Sequence, residues 1–421
     1  MKRFLFLVVS GMFLCATICK AQSVQPFSTR AWQKDICSVQ LNPNGVWGAL
    51  PIIQLGRSVP LVLSFDQINT TSPIRYRYKI IHCNADWTPS NLLEINYMDG
   101  FNDNLIDDVA NSQATSVDYV NYRVEFPNDN FRLLLSGNYV LEVYPENNPS
   151  NILLTACFYV LDKQVDVSSQ VSSNTDWGVN KEWQQLSLVI NYGNLNIKDP
   201  YSDIKTVVLQ NRRQDNRKFD LKPTFLTGSS LRYEHNRDLI FDAGNEYRRF
   251  DFVNTKSGGM NVDRFRFQGG RYYAWVIPDK IRAGKSYIYD QDQNGKFLIR
   301  STDAGDSDVN GDYINVNFTL QTDIKADEPI YLAGDLTGYQ FDSGYEMKYN
   351  EVEKAYSLNL WLKQGAYNYM YMTNNVEKGA STSWAEGNYF QTENEYLTLV
   401  YYRPIGQRYD SLIGYSLINS Q

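Results

Sequence analysis

Apolar and polar residues alternate with a period of two along most of this chain. That spacing sets one face of a strand on a core and the other in water. Residues 313–320, 396–402 and 412–418 read as strands on this basis. Residues 152–161 are almost continuously apolar, which predicts a central strand covered on both faces. No stretch carries the 3.6-residue pattern of an amphipathic helix for three turns. Turn residues punctuate the runs at short intervals: Asn42-Pro43-Asn44-Gly45, Thr71-Ser72-Pro73, Ser136-Gly137-Asn138, Gly269-Gly270, Asn294-Gly295 and Asn310-Gly311. Short strands so divided predict an all-β protein of tandem immunoglobulin-like or early-set-like β-sandwich domains.

The first 21 residues have a different pattern. Lys2-Arg3 precede a mostly apolar run, 4–18, that is too short to span a bilayer comfortably. Cys19 and Ala21 put small residues where a signal peptidase reads, so 1–21 is expected to be a signal peptide and Gln22 the mature start. A lipid anchor on Cys15 or Cys19 is disfavoured by the bulky Phe13-Leu14 and Thr17-Ile18 before them. No later run of 18 apolar residues follows. The remainder divides into three blocks of sandwich size, 22–162, 163–312 and 313–421. A Ser-rich segment, 168–175, reads as a linker or an edge strand at the first boundary. The last two strands are expected to form a hairpin closing the third sandwich, with Arg403, Arg408 and Asp410 available to its turn.

Composition narrows the chemistry. The chain has 31 Tyr, 20 Phe and 8 Trp, residues that suit pleated faces. It has two histidines, His82 and His235, which leaves few of the commonest general bases and metal ligands. A net charge of −7 and a pI near 5.1 argue against nucleic acid and anionic lipid as partners. Past the leader the cysteines are Cys37, Cys83 and Cys157. One disulfide is open to them, but buried free thiols are the preferred reading.

Four segments invite a chemical reading. Asp290-Gln291-Asp292-Gln293-Asn294-Gly295 opens like a calcium loop, and Asp306-Ser307-Asp308-Val309-Asn310-Gly311 repeats the spacing. Ser301 and Asn317 stand where a closing Glu would be needed, and Asn-Gly is also the strongest signal for a hairpin turn. Pro329-Ile330-Tyr331-Leu332-Ala333-Gly334-Asp335-Leu336-Thr337-Gly338-Tyr339 resembles the opening hairpin of early-set glycan-binding modules. Trp361, Tyr367, Tyr369 and Tyr371 could then be a sugar platform, although period-two tyrosines also describe a core face. His82 and Cys83 are adjacent, so on a strand they point to opposite faces and cannot share a proton. Glu246, Arg248 and Phe250 would share one strand face, with Glu246 and Arg248 in an ion-pair network at a surface or domain interface. No catalytic, cofactor-binding or metal-binding residue is assigned, and no cofactor is expected.

An ordered series of motifs runs through the chain. It comprises His82-Cys83-Asn84-Ala85-Asp86-Trp87-Thr88-Pro89-Ser90, Phe126-Pro127, Ser136-Gly137-Asn138-Tyr139-Val140, Gln210-Asn211-Arg212, Gly244-Asn245-Glu246-Tyr247-Arg248 and Asp292-Gln293-Asn294-Gly295-Lys296. The segment 386–415 closes it. Together these resemble the type IX secretion system plug protein family of Bacteroidota. The resemblance implies a periplasmic, non-enzymatic β protein that seals the periplasmic mouth of a large outer-membrane β-barrel translocon. It implies association with the outer membrane through that partner, with no membrane insertion and no nucleic acid. It carries over no individual interface residues. Secreted cargo of the same pathway often ends close to a lysine, whereas this chain ends Ile418-Asn419-Ser420-Gln421, which favours machinery over cargo. The alternative is a secreted or periplasmic glycan-binding protein.

Overall fold

The computed structural model describes residues 26–420 apart from Ser58, Asn194, Ser257, Ala304 and Val376. The expected leader 1–21, its cysteines and the start at Gln22 lie outside the described residues. Among the described residues strands dominate and the three α-helical turns are four residues each, so the all-β expectation holds. Among the described residues no helix is long and apolar enough to cross a membrane.

In the first sandwich, Leu61–Ile68 and Tyr119–Phe126 lie at the centre of a four-stranded sheet, flanked by Ile36–Pro43 and Asp108–Asn111. The facing sheet is built on Leu154–Leu161, Gly137–Pro145 and Tyr76–Cys83. Alternate residues fill the space between. Phe65 stacks on Tyr122 at 5.1 Å, Tyr139 stacks on Phe158 at 5.4 Å, and all four rings are buried.

The second sandwich is completed from a distance. One sheet runs Asp166–Ser172, Trp183–Asn191, Ser230–Tyr233, Phe225–Thr227, with the Ser-rich segment as its edge strand. The other contains Ile204–Gln210, Glu395–Tyr402 and Ser411–Asn419. The C-terminal hairpin therefore closes the second sandwich, not the third as its sequence position implied. Val207 pairs with Leu399, and Tyr396, Val400 and Ile413 enter the core of this unit.

The third sandwich is inserted between these halves. Arg248–Asp251, Phe297–Ile299 and Gly365–Asn375 form one sheet, while Arg271–Val276, Tyr313–Gln321 and Ala355–Lys363 are central to the other. A boundary at 312/313 would cut through this unit, because strands on both sides of it pair directly. Pattern tells which face of a strand is buried but not which strand covers it. The entropy of closing a long loop grows only logarithmically, so an inserted domain costs little more than a short loop.

The first and second sandwiches stack face to face. Val140, Tyr159 and Leu161 on one outer sheet face meet Val207, Leu209, Leu397, Leu399 and Tyr401 on the other. This explains why Glu395–Tyr402 is buried on both faces. Four β layers result, with an apolar seam at their middle.

Candidate functional site at the three-way junction

The three sandwiches meet where two positively charged side chains converge on one carboxylate. Glu395 opens a strand of the second unit and accepts two hydrogen bonds from Arg212, Nε–Oε1 2.6 Å and Nη2–Oε2 3.2 Å. Arg212 also donates to the carbonyls of Gly48 and Ala49 in the first unit, at 3.0 and 3.2 Å. Lys296 of the third unit lies 3.1 Å from Glu395 Oε2. Burial alone would raise the Glu395 carboxyl, but Arg212 and Lys296 outweigh it and hold it below its ordinary value. The Trp47 indole of the first unit donates to the Phe297 carbonyl of the third at 2.7 Å.

A second polar contact joins the first and third units alone. Lys363 Nζ lies 2.7 Å from Asp66 Oδ2, and both side chains are 1% exposed. Tyr313 Oη donates to the same oxygen at 2.8 Å, and Asn121 donates to Asp66 Oδ1 at 2.8 Å. Lys363 further donates to the Asp308 carbonyl and lies 4.2 Å from the Tyr119 ring centroid. Charges this deep are tolerated only when each is paired and its remaining hydrogen-bonding capacity is met.

Two chain crossings, rather than one, connect the second and third units. Tyr389 N–H and Thr392 Oγ1 donate to the Gly244 carbonyl, and Asn245 Nδ2 donates to the Glu386 carbonyl, so the crossings are laced together. Glu386, fully buried, accepts from Arg248, from Arg282 and from the Tyr371 N–H. Burial would raise its carboxyl, yet the two guanidinium groups pull it down to about 2. The expected network at Arg248 thus exists, but its acids are Glu386 and Asp279. Glu246 lies outside the strand Arg248–Asp251 and accepts instead from the Tyr287 hydroxyl.

A cavity of about 330 Å³ opens at the junction, with Trp47, Arg212, Lys296, Phe297 and Asp335 in its wall. Asp335 is deep within the protein yet accessible, because it faces the cavity. Its burial raises the carboxyl to about 6.

The other segments singled out in the sequence take structural roles. Asp290 is paired with Arg249, and Asp292 accepts from the N–H groups of Tyr247 and Asn294. Asn294 and Gly295 both have positive φ and form a tight turn, but not the expected hairpin: no strand directly precedes the turn, and Phe297–Ile299 after it pairs with Gly365–Asn375. A side chain at Gly295 would meet Tyr339 Oη at 2.2 Å. The second Asn-Gly differs from expectation. Asp306 caps the helical turn Ser307–Asn310, and Gly311 has φ −70°. The proposed sugar platform is dismantled: Tyr367, Tyr369 and Tyr371 are buried, and the last two donate to Asp279. Only Trp361 of that set lies on an outer face. His82 is buried beside Tyr139 and Tyr409, with Nδ1 2.9 Å from Ser90 Oγ, and its burial lowers its pKa to about 4. Cys83 faces the apolar seam, and Cys37, Cys83 and Cys157 are free thiols. Asp410 reaches across the seam to the Ala85 N–H at 3.0 Å and pairs with Lys205 at 2.8 Å. Arg403 stands 3.7 Å from it, while Arg408 is exposed.

The residues that organise the junction had no assigned role in the sequence. Arg212 stood in a quoted motif, while Asp66 and Lys363 were passed over. A signal existed. Asp66 interrupts the apolar run Leu61–Ile68, and Lys363 ends a strand rich in Leu and Trp. A lone charge inside such a strand asks for a buried partner.

Residues 36–162 match the family model described as the Type 9 secretion system plug protein 1st domain. The crystal structure of a hypothetical protein from Parabacteroides merdae ATCC 43184, at 2.30 Å resolution, is similar to the chain with a TM-score of 0.91 and 42% identity. The likeness covers 94% of this chain and 100% of that one. No curated protein matches the chain.

Proposed function

The chain belongs to the type IX secretion system plug protein family, and from that premise we propose that it is a periplasmic stopper, sealing the periplasmic mouth of an outer-membrane β-barrel translocon. A role associated with type IX secretion follows from the family itself. The observation that supports the finer reading is the way three sandwiches are locked into one body. The second unit is split around the third, two laced crossings join them, and the buried Asp66–Lys363 pair ties the third unit to the first. A pore wide enough for a folded protein leaks small molecules unless its stopper is stiff and broad. Single-linker domains would swing under such a load.

The same arrangement favours a binding subunit over an enzyme. Its buried pairs Asp66–Lys363, Glu386–Arg248 and Glu395–Arg212 are spent on one another, and His82 and Cys83 point to opposite sides of their strand. A signal peptide at 1–21 would deliver the chain to the periplasm, and a protein partner would hold it at the outer membrane. Release of the plug requires a contact of modest area with a polar rim.

The test is affinity purification of the tagged protein from native outer membranes, with permeability measured in a deletion strain. Recovery of a very large barrel and entry of a normally excluded dye are expected. Purification without a barrel, together with unchanged permeability, would overturn the reading.

A further inference from the structure

The second sandwich covers its outer sheet face with the first, and the Tyr313, Trp361 and Lys363 end of the third's outer face also packs on the first, but the rest of that face stays open. Its residues follow from strand register. Arg264 is opposite Trp275, Trp275 opposite Asn317, and Asn317 opposite Asn359. The next row is Arg266, Tyr273, Asn315 and Trp361. Neither row holds an acid. Neighbouring strands are spaced so that four of them span about 14 Å.

Two of the cations on this face are held against rings. The Arg264 guanidinium lies 4.2 Å from the Trp275 ring centroid, and that of Arg271 lies 5.5 Å from Trp361. Tyr273 stacks with Trp275 at 6.3 Å. Arg264, Arg266 and Arg271 are exposed, and none has an ion-pair partner among the described residues. That is unusual in a chain of net charge −7. Stacking holds a guanidinium plane while leaving its N–H edge free, which reduces the entropy lost when it grips a planar anion. Asn317 Nδ2 donates to Asn359 Oδ1 at 3.0 Å, leaving the pair further donor and acceptor capacity for hydroxyl groups.

We propose that this face binds a carboxylate-bearing glycan. Separated cations, amides and aromatic edges suit a polymer whose charges are spaced by hydroxyl-rich rings. A nucleic acid carries a charge at every step and would be repelled by the acidic remainder of the protein. Arg264 and Arg266 also lie on the sheet's outermost strand, where charge discourages edge pairing with other chains. Edge protection does not account for Arg271, which stands on the next strand in. The proposal is independent of the plug assignment.

The purified protein is titrated calorimetrically with oligogalacturonate, with dextran, and with polyglutamate matched in charge. Oligogalacturonate binding is expected, weakening with salt, with dextran and polyglutamate at least about tenfold weaker. The double variant R264Q/R271Q should lose about tenfold or more in affinity with an unchanged Tm, since both side chains are exposed. Trp275→Ala should weaken binding by the same mechanism. Should that variant unfold, the arginine variant still decides. No binding of oligogalacturonate, equal binding of polyglutamate, or an undiminished double variant would overturn the proposal.

Discussion

The first sandwich touches its two neighbours through opposite kinds of contact. Against the second it lays a sheet face of Val140, Tyr159 and Leu161 on one of Leu397, Leu399 and Tyr401. Against the third it offers Asp66, held by Asn121, and Ser38 to Lys363 and Tyr313. The apolar seam supplies adhesion roughly in proportion to the area removed from water, and tolerates small slides. The ion pair supplies little net adhesion, because desolvation offsets the attraction, but it is satisfied in one geometry only. One contact holds the body together, and the other fixes how its third part is aimed. Arg212 does both at the point where they meet, binding Glu395 in its own unit and two carbonyls of the first.

That contrast can be broken most severely at Lys363. Lys363→Met leaves Asp66 buried without a counter-charge and should cost about 3–5 kcal/mol in chemical denaturation. The double variant K363M/D66L should recover most of that loss while loosening the third unit, seen as faster proteolysis at its crossings. If the double variant remains as unstable as the single, the pair is a source of strength and the contrast fails. At the seam, Leu399→Ala should cost about 3 kcal/mol by leaving a cavity between two sheets. It should destabilise the first and second units together, read by hydrogen exchange in both.

The seam also has a proton-sensitive edge at His82, beside Tyr409 of the second unit. Its folded pKa is about 4, below the ordinary value near 6.5. The unfolded chain therefore takes up a proton that the folded state refuses, and stability contributed above the unfolded pKa is lost as pH falls through the folded one. In denaturation from pH 7 to pH 4 the wild type should lose about 3 kcal/mol of stability relative to His82→Gln. Comparing the two proteins at each pH isolates this group. Asp335, raised to about 6, and Asp292, raised to about 7, act in the opposite sense over the same window. The smallest effect is expected at the loop of Asp290 and Asp292. Millimolar calcium or chelator should leave Tm unshifted, since Arg249 and two backbone N–H groups already engage these carboxylates. A rise in Tm with calcium would reverse that assignment.

Legibility in the sequence varied by kind of information. The strands of the C-terminal hairpin were predicted within a residue of where they lie, because alternation is local. Their apolar residues on both faces were visible too, yet were read as one core rather than two. The tyrosines 367, 369 and 371 show the same limit from the other side. Period two marks them as one face, but only the covering sheet decides whether that face is core or platform. The ion-pair partners were illegible for a simpler reason: Asp66 and Lys363 are 297 residues apart, and charge complementarity alone does not choose among many acids and bases.

By itself the sequence determined the β-class, the absence of long helices among the described residues, the tight turn at Asn294-Gly295 and, through its ordered motifs, the resemblance that the match of residues 36–162 supports. These depend on side-chain spacing, backbone strain and residue identity within short windows. Tertiary structure alone decided that the second sandwich is split around the third, that its outer face is covered, and that Asp66 finds Lys363. It also decided that the third sandwich keeps a face of stacked arginines open. Each of these is a choice of partner across long stretches of chain, made by which faces can be buried together at once.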